Sequence, residues 1–437
     1  MAQPPPIQYI PQVTIQHDFP QVINDIKAGL HAVEDIWISC YAHDRPSVHG
    51  KARVSDSDET PSGIKLEARH GIDCEMVDLT TLRVSCASLD VPTTKVKFPS
   101  ASPLNVKGSL ESLDVSPDGS RLVVGGKNGL GRVTSFATGL EDVSLRGHAS
   151  DVSVVKFFPS NEVVLTGSLD MSARVFSALD GSNPRTLKGH TKAVTGLHLI
   201  GRGKRVLTSS MDGTVKLWQV SDGQTVMQWT LSQPVTALAV VGGVQDAADD
   251  TLDGRLCIVA HSNGTATMFA LDTGVIEAKT IFDTGRPSPL HCIAYNAQSA
   301  LLACGSRSGI ITVFKSPRSL SEGSDKVEPV LCFSRSGATV SSLSFGDDHR
   351  LLVTTSDGLP YQVSLTDDGA ALTGEWQEFA GFEAGDAAAQ GIINGDKVYI
   401  AGADGANQKT ELWFGTDAAV ASGLGNELKF KPLLALE

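Results

Sequence analysis

Two histidines and two aspartates in the middle of the chain stand at a spacing that could do chemistry. His148 lies 22 residues before Asp170, and His190 lies 22 residues before Asp212. An imidazole facing a carboxylate can be the base and orienting acid of a nucleophilic triad, or it can be a structural staple. The whole constellation recurs after 42 residues, with Phe176 matched by Trp218 in the same frame. Duplication at a fixed period is the mark of a repeated structural unit. His148, Asp170, His190 and Asp212 are therefore assigned to structure, and no residue is assigned to catalysis. A turn carboxylate buried at the edge of such a unit needs a donor, since an unpaired buried group costs about 1–3 kcal/mol.

The unit reads as an apolar strand, a loop, a second apolar strand, a two-residue turn and a third, alternating strand. In LKGHTKAVTGLHLIGRGKRVLTSSMDGTVKLW, Leu187 to Trp218, these are AVTGLHLI, KRVLTSS, Asp212-Gly213 and TVKLWQV, with QTVMQWTL as a candidate fourth strand. Four short antiparallel strands make one blade of a propeller. The turn favours Gly, Asn and Asp because a tight hairpin needs positive φ. The same turn recurs at Asn128-Gly129, Asp170-Met171, Asn263-Gly264, Ser308-Gly309, Asp357-Gly358 and Asp404-Gly405, seven in all. Seven turns predict seven blades. Phe176, Trp218, Phe269 and Phe314 each follow their turn by six residues, whereas Phe136 and Trp413 fall late and Val363 takes the slot in the sixth unit.

The second and third units resemble the WD40 repeat. That resemblance implies a hydrogen-bonded chain through His190, Asp212, Thr208 and Trp218, with Thr166 beside His148 and Asp170 in the preceding unit. The expected fold is all-β: a seven-bladed WD40-type β-propeller over residues 101–437, preceded by a small α+β domain over residues 1–100. In that amino-terminal region PQVINDIKAGLHAVEDIWISCYA predicts a short helix, with Val22, Ile26 and Leu30 on one face, followed by a strand. Residues 45–63 are polar and rich in turn formers, which predicts a mobile loop. A ring of blades must close or expose its edges. Thr93 to Pro99, TTKVKFP, is the favoured strand to complete the last blade, with the tail LKFKPLLAL as its rival.

Composition narrows the function classes. The chain has 437 residues, 43 of them Gly, and a net charge of −13. Nucleic acid and anionic lipid are bound chiefly through Lys and Arg, so this balance argues against both and for a basic partner. Seven scattered cysteines with no C-x-x-C pair read as reduced thiols filling the core. The start has no charged and apolar leader, and the expected location is cytoplasmic and nuclear. Metal-ligand spacings are absent from the eleven histidines, the Gly125 to Gly129 run lacks the phosphate-loop spacing, and the acids Asp246, Asp249, Asp250 and Asp253 fail the EF-hand spacing. No metal or cofactor is expected.

Segments FFPS (Phe157 to Ser160), DGSNPRTLKGH (Asp180 to His190), GRGKRVLTSSMDGTVKLW (Gly201 to Trp218), KSPR and SRSGA together resemble the proteasomal ATPase-associated factor family. The resemblance implies a monomeric, non-enzymatic chaperone. It would grip the carboxy-terminal subdomains of proteasomal AAA ATPase subunits during assembly of the regulatory particle base and block premature docking on the core particle. Asp151, Asp170, Arg307, Glu383 and Asp386 fall in loops that share one propeller face and form the expected docking set, with Asp170 also serving as a staple. One alternative is a substrate receptor of a ubiquitin ligase. Such propellers often carry Trp-Asp-x-Arg, whereas Trp218 here precedes Gln219-Val220-Ser221. A second alternative, an enzyme with its site in the central channel, has only His198 and His291 as ionisable candidates on the inner strands.

Overall fold

The computed structural model describes residues 4–60, 62–99, 104–136, 143–242, 250–273, 276, 279–320, 326–346, 348–381, 387–403 and 409–416. Seven sheets are each built outward from one inner strand. These strands are Leu110–Val115, Val152–Phe157, Val194–Ile200, Val235–Val241, Leu290–Asn296, Val340–Phe345 and Ala387–Asn394. Each packs against the next, and the seventh packs against the first, so the ring of seven blades is closed. The second strand of each blade is an unbroken buried run, as in Val206 to Ser210 of the third, because it has a neighbour on both edges and a blade on both faces. The aromatic slot is filled as the spacing predicts: Phe176, Trp218, Phe269 and Phe314 are buried between blades.

Blades are also tied to one another by side chains reaching across the gap. The Ser112 hydroxyl donates to Val152 O at 3.2 Å, Ser153 to Val194 O at 2.7 Å, and Thr195 to Val235 O at 2.9 Å. The Gly391 N–H donates to Ser342 Oγ at 2.8 Å, and the Leu113 N–H donates to Gln390 Oε1 at 2.9 Å, which joins the last blade to the first. Close approach demands small residues. A Cβ on Gly167 would sit 2.7 Å from a methyl of Val194 in the next blade.

Closure differs from the expectation. The outer strand of the seventh blade is Leu104–Lys107, antiparallel to Lys409–Thr416 with Leu104 opposite Leu412. The favoured candidate, Thr93 to Pro99, overlaps the strand Val91–Lys97, which instead runs parallel to Leu372–Phe379, the outer strand of the sixth blade. It cannot leave that place, because Val96 and Phe98 are fully buried in the amino-terminal core. The rival tail lies outside the described residues.

The amino-terminal region is stitched into the propeller's sheets as well as folding on its own core. Ile7–Tyr9 runs parallel to Leu331–Ser334 of the fifth blade. The hairpin Asp73–Asp78 and Thr81–Cys86 continues through Val91–Lys97 into the sixth, giving a seven-stranded sheet. A separate antiparallel sheet holds Gln12–Ile15, Val33–Tyr41, Val48–Asp56 and Ile64–Arg69. Helix Phe19–Lys27 covers one face with Phe19, Val22, Ile23 and Ile26. It stops before Leu30, which is exposed, because the chain turns at Gly29 with φ +71. Residues 45–63, expected as a mobile loop, contain the strand Val48–Asp56. Its inward positions are Gly50, Ala52 and Val54, and the first two are too small to register as an apolar alternation.

A buried ion pair pins the sheet to the sixth blade. Arg335 Nη1 meets Glu378 Oε2 at 2.5 Å with both side chains almost fully buried, Arg335 also donates to Leu359 O, and its guanidinium lies 4.0 Å from the Tyr361 ring centre. Glu378 Oε1 accepts the Val13 N–H at 3.5 Å. Replacing one partner strands the other charge. Arg335→Met should lower stability by roughly 3–5 kcal/mol, and adding Glu378→Met should restore most of it, as read by urea unfolding.

Candidate functional site

The histidine and aspartate pairs are built by two loops meeting at the blade's rim. His190 precedes the inner strand of the third blade, Asp212 opens the turn after its second strand, and the turn is closed by Gly213 at φ +82. His190 Nδ1 lies 2.9 Å from Asp212 Oδ2 and its Nε2 lies 2.7 Å from Thr208 Oγ1, which accepts the Trp218 Nε1–H at 2.8 Å. With the carboxylate accepting at Nδ1, the proton order is indole to hydroxyl, hydroxyl to Nε2, and Nδ1–H to aspartate. Asp212 also accepts the Thr191 N–H at 2.9 Å and the Thr214 hydroxyl at 2.6 Å. In the second blade His148 meets Asp170 at 2.8 Å and Thr166 at 2.7 Å. Phe176 has no N–H, so the relay there is one member shorter. The chemistry of both sets is spent internally, with no nucleophile left pointing at solvent.

Electrostatics agree with a staple. Burial lowers the His190 and His148 pKa values against the pull of their aspartates, which keeps both imidazoles neutral. At Asp212 and Asp170 burial alone would raise the pKa, but hydrogen bonds from Thr214, the Thr191 N–H and His190, and from Ser172, His148 and the Ala149 N–H, outweigh it and hold each at about 2. His198 is lowered to about 4 by burial with Lys156 and Arg255 nearby, and His291 is lowered by burial beside Arg307. Both are weak bases in this setting. Among the described residues, no group of three or more His, Cys, Asp or Glu is placed to hold a metal ion.

The open surface of the propeller lies elsewhere. Every inner strand carries a register slip near its start, between Leu110 and Ser112, Val152 and Val154, Val194 and Gly196, Val235 and Ala237, Leu290 and Cys292, Val340 and Ser342, and Ala388 and Gln390. A β-bulge re-aims the extra side chain. The seven extra residues, Glu111, Ser153, Thr195, Thr236, His291, Ser341 and Ala389, all line the central channel mouth, an opening of about 640 Å³ that Lys127, Asp151, Lys156 and Leu169 share. Sequence reasoning missed this ring. The available signal was apolar residues at i and i+3, as in Val194 and Leu197, where strict alternation expects i+2.

The turns share that face, because the turn N–H bonds the residue preceding the inner strand: Lys127 to Ser109, Leu169 to Asp151, Met211 to Ala193, Arg307 to Pro289 and Ser356 to Thr339. Of the expected docking residues, Asp151 stands at the channel mouth with its carboxylate accepting the Asn128 N–H at 2.9 Å. Asp170 is held within its staple, with a side chain 11% exposed. Arg307 is exposed on the turn of the fifth blade. Glu383 and Asp386 lie outside the described residues.

The family described as "WD domain, G-beta repeat" matches residues 141–177 and 181–219, the second and third blades. No curated protein sequence matches the chain. Among solved structures the fold is similar to the RRP9 WD40 repeats, with TM-score 0.58 and 17% identity over 72% of this chain and 98% of that one. It is similar to U3-55K with TM-score 0.58 and 16% identity over 72% of this chain and 99% of that one. At such identities the likeness concerns fold alone. The chain is a WD40-repeat protein. The WD40 fold is a scaffold fold and usually non-catalytic.

Thr208→Val leaves the Trp218 N–H and His190 Nε2 both unpaired, so it should cost about 1–3 kcal/mol more than Thr166→Val, which strands only one such group; urea unfolding of the two variants reads the difference. Acid should act at two stages. A histidine whose folded pKa is lowered contributes stability that is present above its unfolded value, near 6.5, and lost as pH falls through it. An aspartate lowered from 3.8 to about 2 adds a second loss across that interval. Thermal midpoints should be level above neutrality and fall below pH 6.5, with a shallower fall in His148→Asn.

Proposed function

We propose that this chain is a non-enzymatic scaffold that docks a partner protein across the channel mouth. The observation that carries this reading is Met171. It occupies the turn position that is glycine in five other described blades, Gly129, Gly213, Gly264, Gly309 and Gly358, and it adopts φ +67. A left-handed non-glycine residue costs of order 1–3 kcal/mol. The strain displays an apolar side chain, 46% exposed, beside Leu169, 44% exposed, which lines the channel mouth. Exposed apolar residues ringed by polar ones are how scaffold surfaces seat their partners.

The finer reading is that the partner is the carboxy-terminal subdomain of a proteasomal AAA ATPase subunit, held during assembly of the regulatory particle base in the cytoplasm and nucleus and kept from docking early on the core particle. Support for it is the family resemblance concentrated between Leu145 and Trp218, the second and third blades, the former of which carries Asp151, Leu169 and Met171. The net charge of −13 would steer a basic subdomain toward the chain. Biolayer interferometry with the isolated subdomains tests both levels. At least one subdomain should bind, Leu169→Ser with Met171→Gly should weaken it about tenfold or more, and Met171→Gly alone should raise the thermal midpoint while weakening binding. No binding by any subdomain removes the ATPase reading. Binding indifferent to these variants removes the channel-mouth face.

A further inference from the structure

The amino-terminal sheet has an open face opposite its helix. Alternation places Trp37 and Tyr41 there, 44% and 38% exposed, while Ile36, Ile38 and Cys40 turn to the core. Register sets their neighbours: Trp37 is opposite Lys51, which is opposite Arg69, and Asp35 is opposite Arg53, which is opposite Glu67. Lys65 and His49 complete the face. Four permanent cations therefore stand against two acids, and both acids are already engaged, Asp35 by Arg53 at 3.0 Å and Glu67 by Lys65 at 3.0 Å with Arg69 more loosely at 4.0 Å, so the face keeps a surplus of two positive charges. In a chain of net charge −13 this is a local cationic surface with aromatic residues set into it.

At its edge, where Gln12–Ile15 meets the turn and outer strand of the sixth blade, lies a cavity of about 260 Å³. Val13, Ile15, Trp37, Tyr41, Leu359 and Phe379 supply its apolar wall. The two acids that also border it are internally partnered. Asp357 accepts the Ser336 and Thr355 hydroxyls at 2.7 and 2.5 Å, and Glu378 is paired with Arg335. Small-molecule sites run to roughly 300–1,000 Å³, so this smaller cavity suits one side chain.

We propose that this open sheet face and the cavity at its edge form a docking site for an acidic peptide segment of a partner protein, which seats one bulky apolar side chain against Trp37 and Tyr41 while its carboxylates lie over Lys51 and Arg69. The site is separate from the channel mouth and does not depend on the identity of the partner bound there. Charge complementarity selects the peptide: an apolar anchor enters a wall with no unpaired charge, and the flanking acids meet a face whose four cations outnumber its two acids. Single-stranded RNA could also stack on exposed aromatics, but with a charge on every nucleotide it runs past the few cations of this face onto a strongly acidic chain, whereas a peptide can confine its acids to the patch.

The test pans a displayed library of random 12-residue peptides on the full chain and measures a selected peptide by fluorescence anisotropy. Selected sequences should carry an aromatic residue or leucine flanked by Asp and Glu. Affinity should fall at least tenfold in Trp37→Ala, and likewise in Lys51→Glu with Arg69→Glu, with thermal midpoints unchanged; it should weaken with salt and be indifferent to Leu169→Ser with Met171→Gly. The second variant pair keeps the test alive should Trp37→Ala not fold. The proposal is overturned by an empty selection, by selected peptides without acidic bias, by affinity that survives both open-face variants, or by a 12-mer of single-stranded RNA binding more tightly than the peptide.

Discussion

Closure of the ring is the constraint on which everything else rests. A blade buries one face on each neighbour, so an open array would expose two apolar faces and two strand edges. Here the last gap is filled by Leu104–Lys107, a strand that enters just before the first blade begins. The strand before the first blade and the third strand of the last are thus joined in one sheet, and the inner strands close the circle through Gln390 and Leu113. Because the closing strand follows directly on the amino-terminal region, that region must lie against the sixth blade. It does so through shared strands and a buried ion pair.

The same geometry shapes the two proposed docking faces. Seven inner strands converge on an axis, and a bulge at the same level in each turns seven side chains toward the opening. The staples of the second and third blades fix the loops around that opening in place, which is the role their histidines and aspartates serve. Rigid loops can then hold a strained residue such as Met171 in an exposed position. The amino-terminal sheet, pinned by Arg335 and Glu378, brings a second, locally cationic face to the rim of the sixth blade.

Much of this was legible in the sequence because repetition amplifies weak signals. A single Asp-Gly turn says little, but seven turns in register predict seven blades, and the 42-residue copy separates a staple from a triad. Thr208 and Trp218 stand where the repeat resemblance implies. What was hidden has physical causes. The strand Val48–Asp56 turns Gly50 and Ala52 inward, so its buried face carries no apolar pattern. The closing strand is only four residues long, and Val91–Lys97 is a more convincing strand that belongs to another sheet. The bulges break the very alternation by which strands are recognised. Pairing across hundreds of residues, as between Val13 and Glu378, leaves no local mark at all.

On the proposed function, a partner docks on the channel-mouth face of the propeller. Hydrogen–deuterium exchange of the full chain with and without a bound ATPase carboxy-terminal subdomain tests it most directly. The account predicts slowed exchange in the turns around Lys127, Leu169 to Met171 and Arg307, with the outer strands Arg185–Lys188 and Thr225–Thr230 unchanged. Slowed exchange confined to those outer strands, with the turns unaffected, would contradict it.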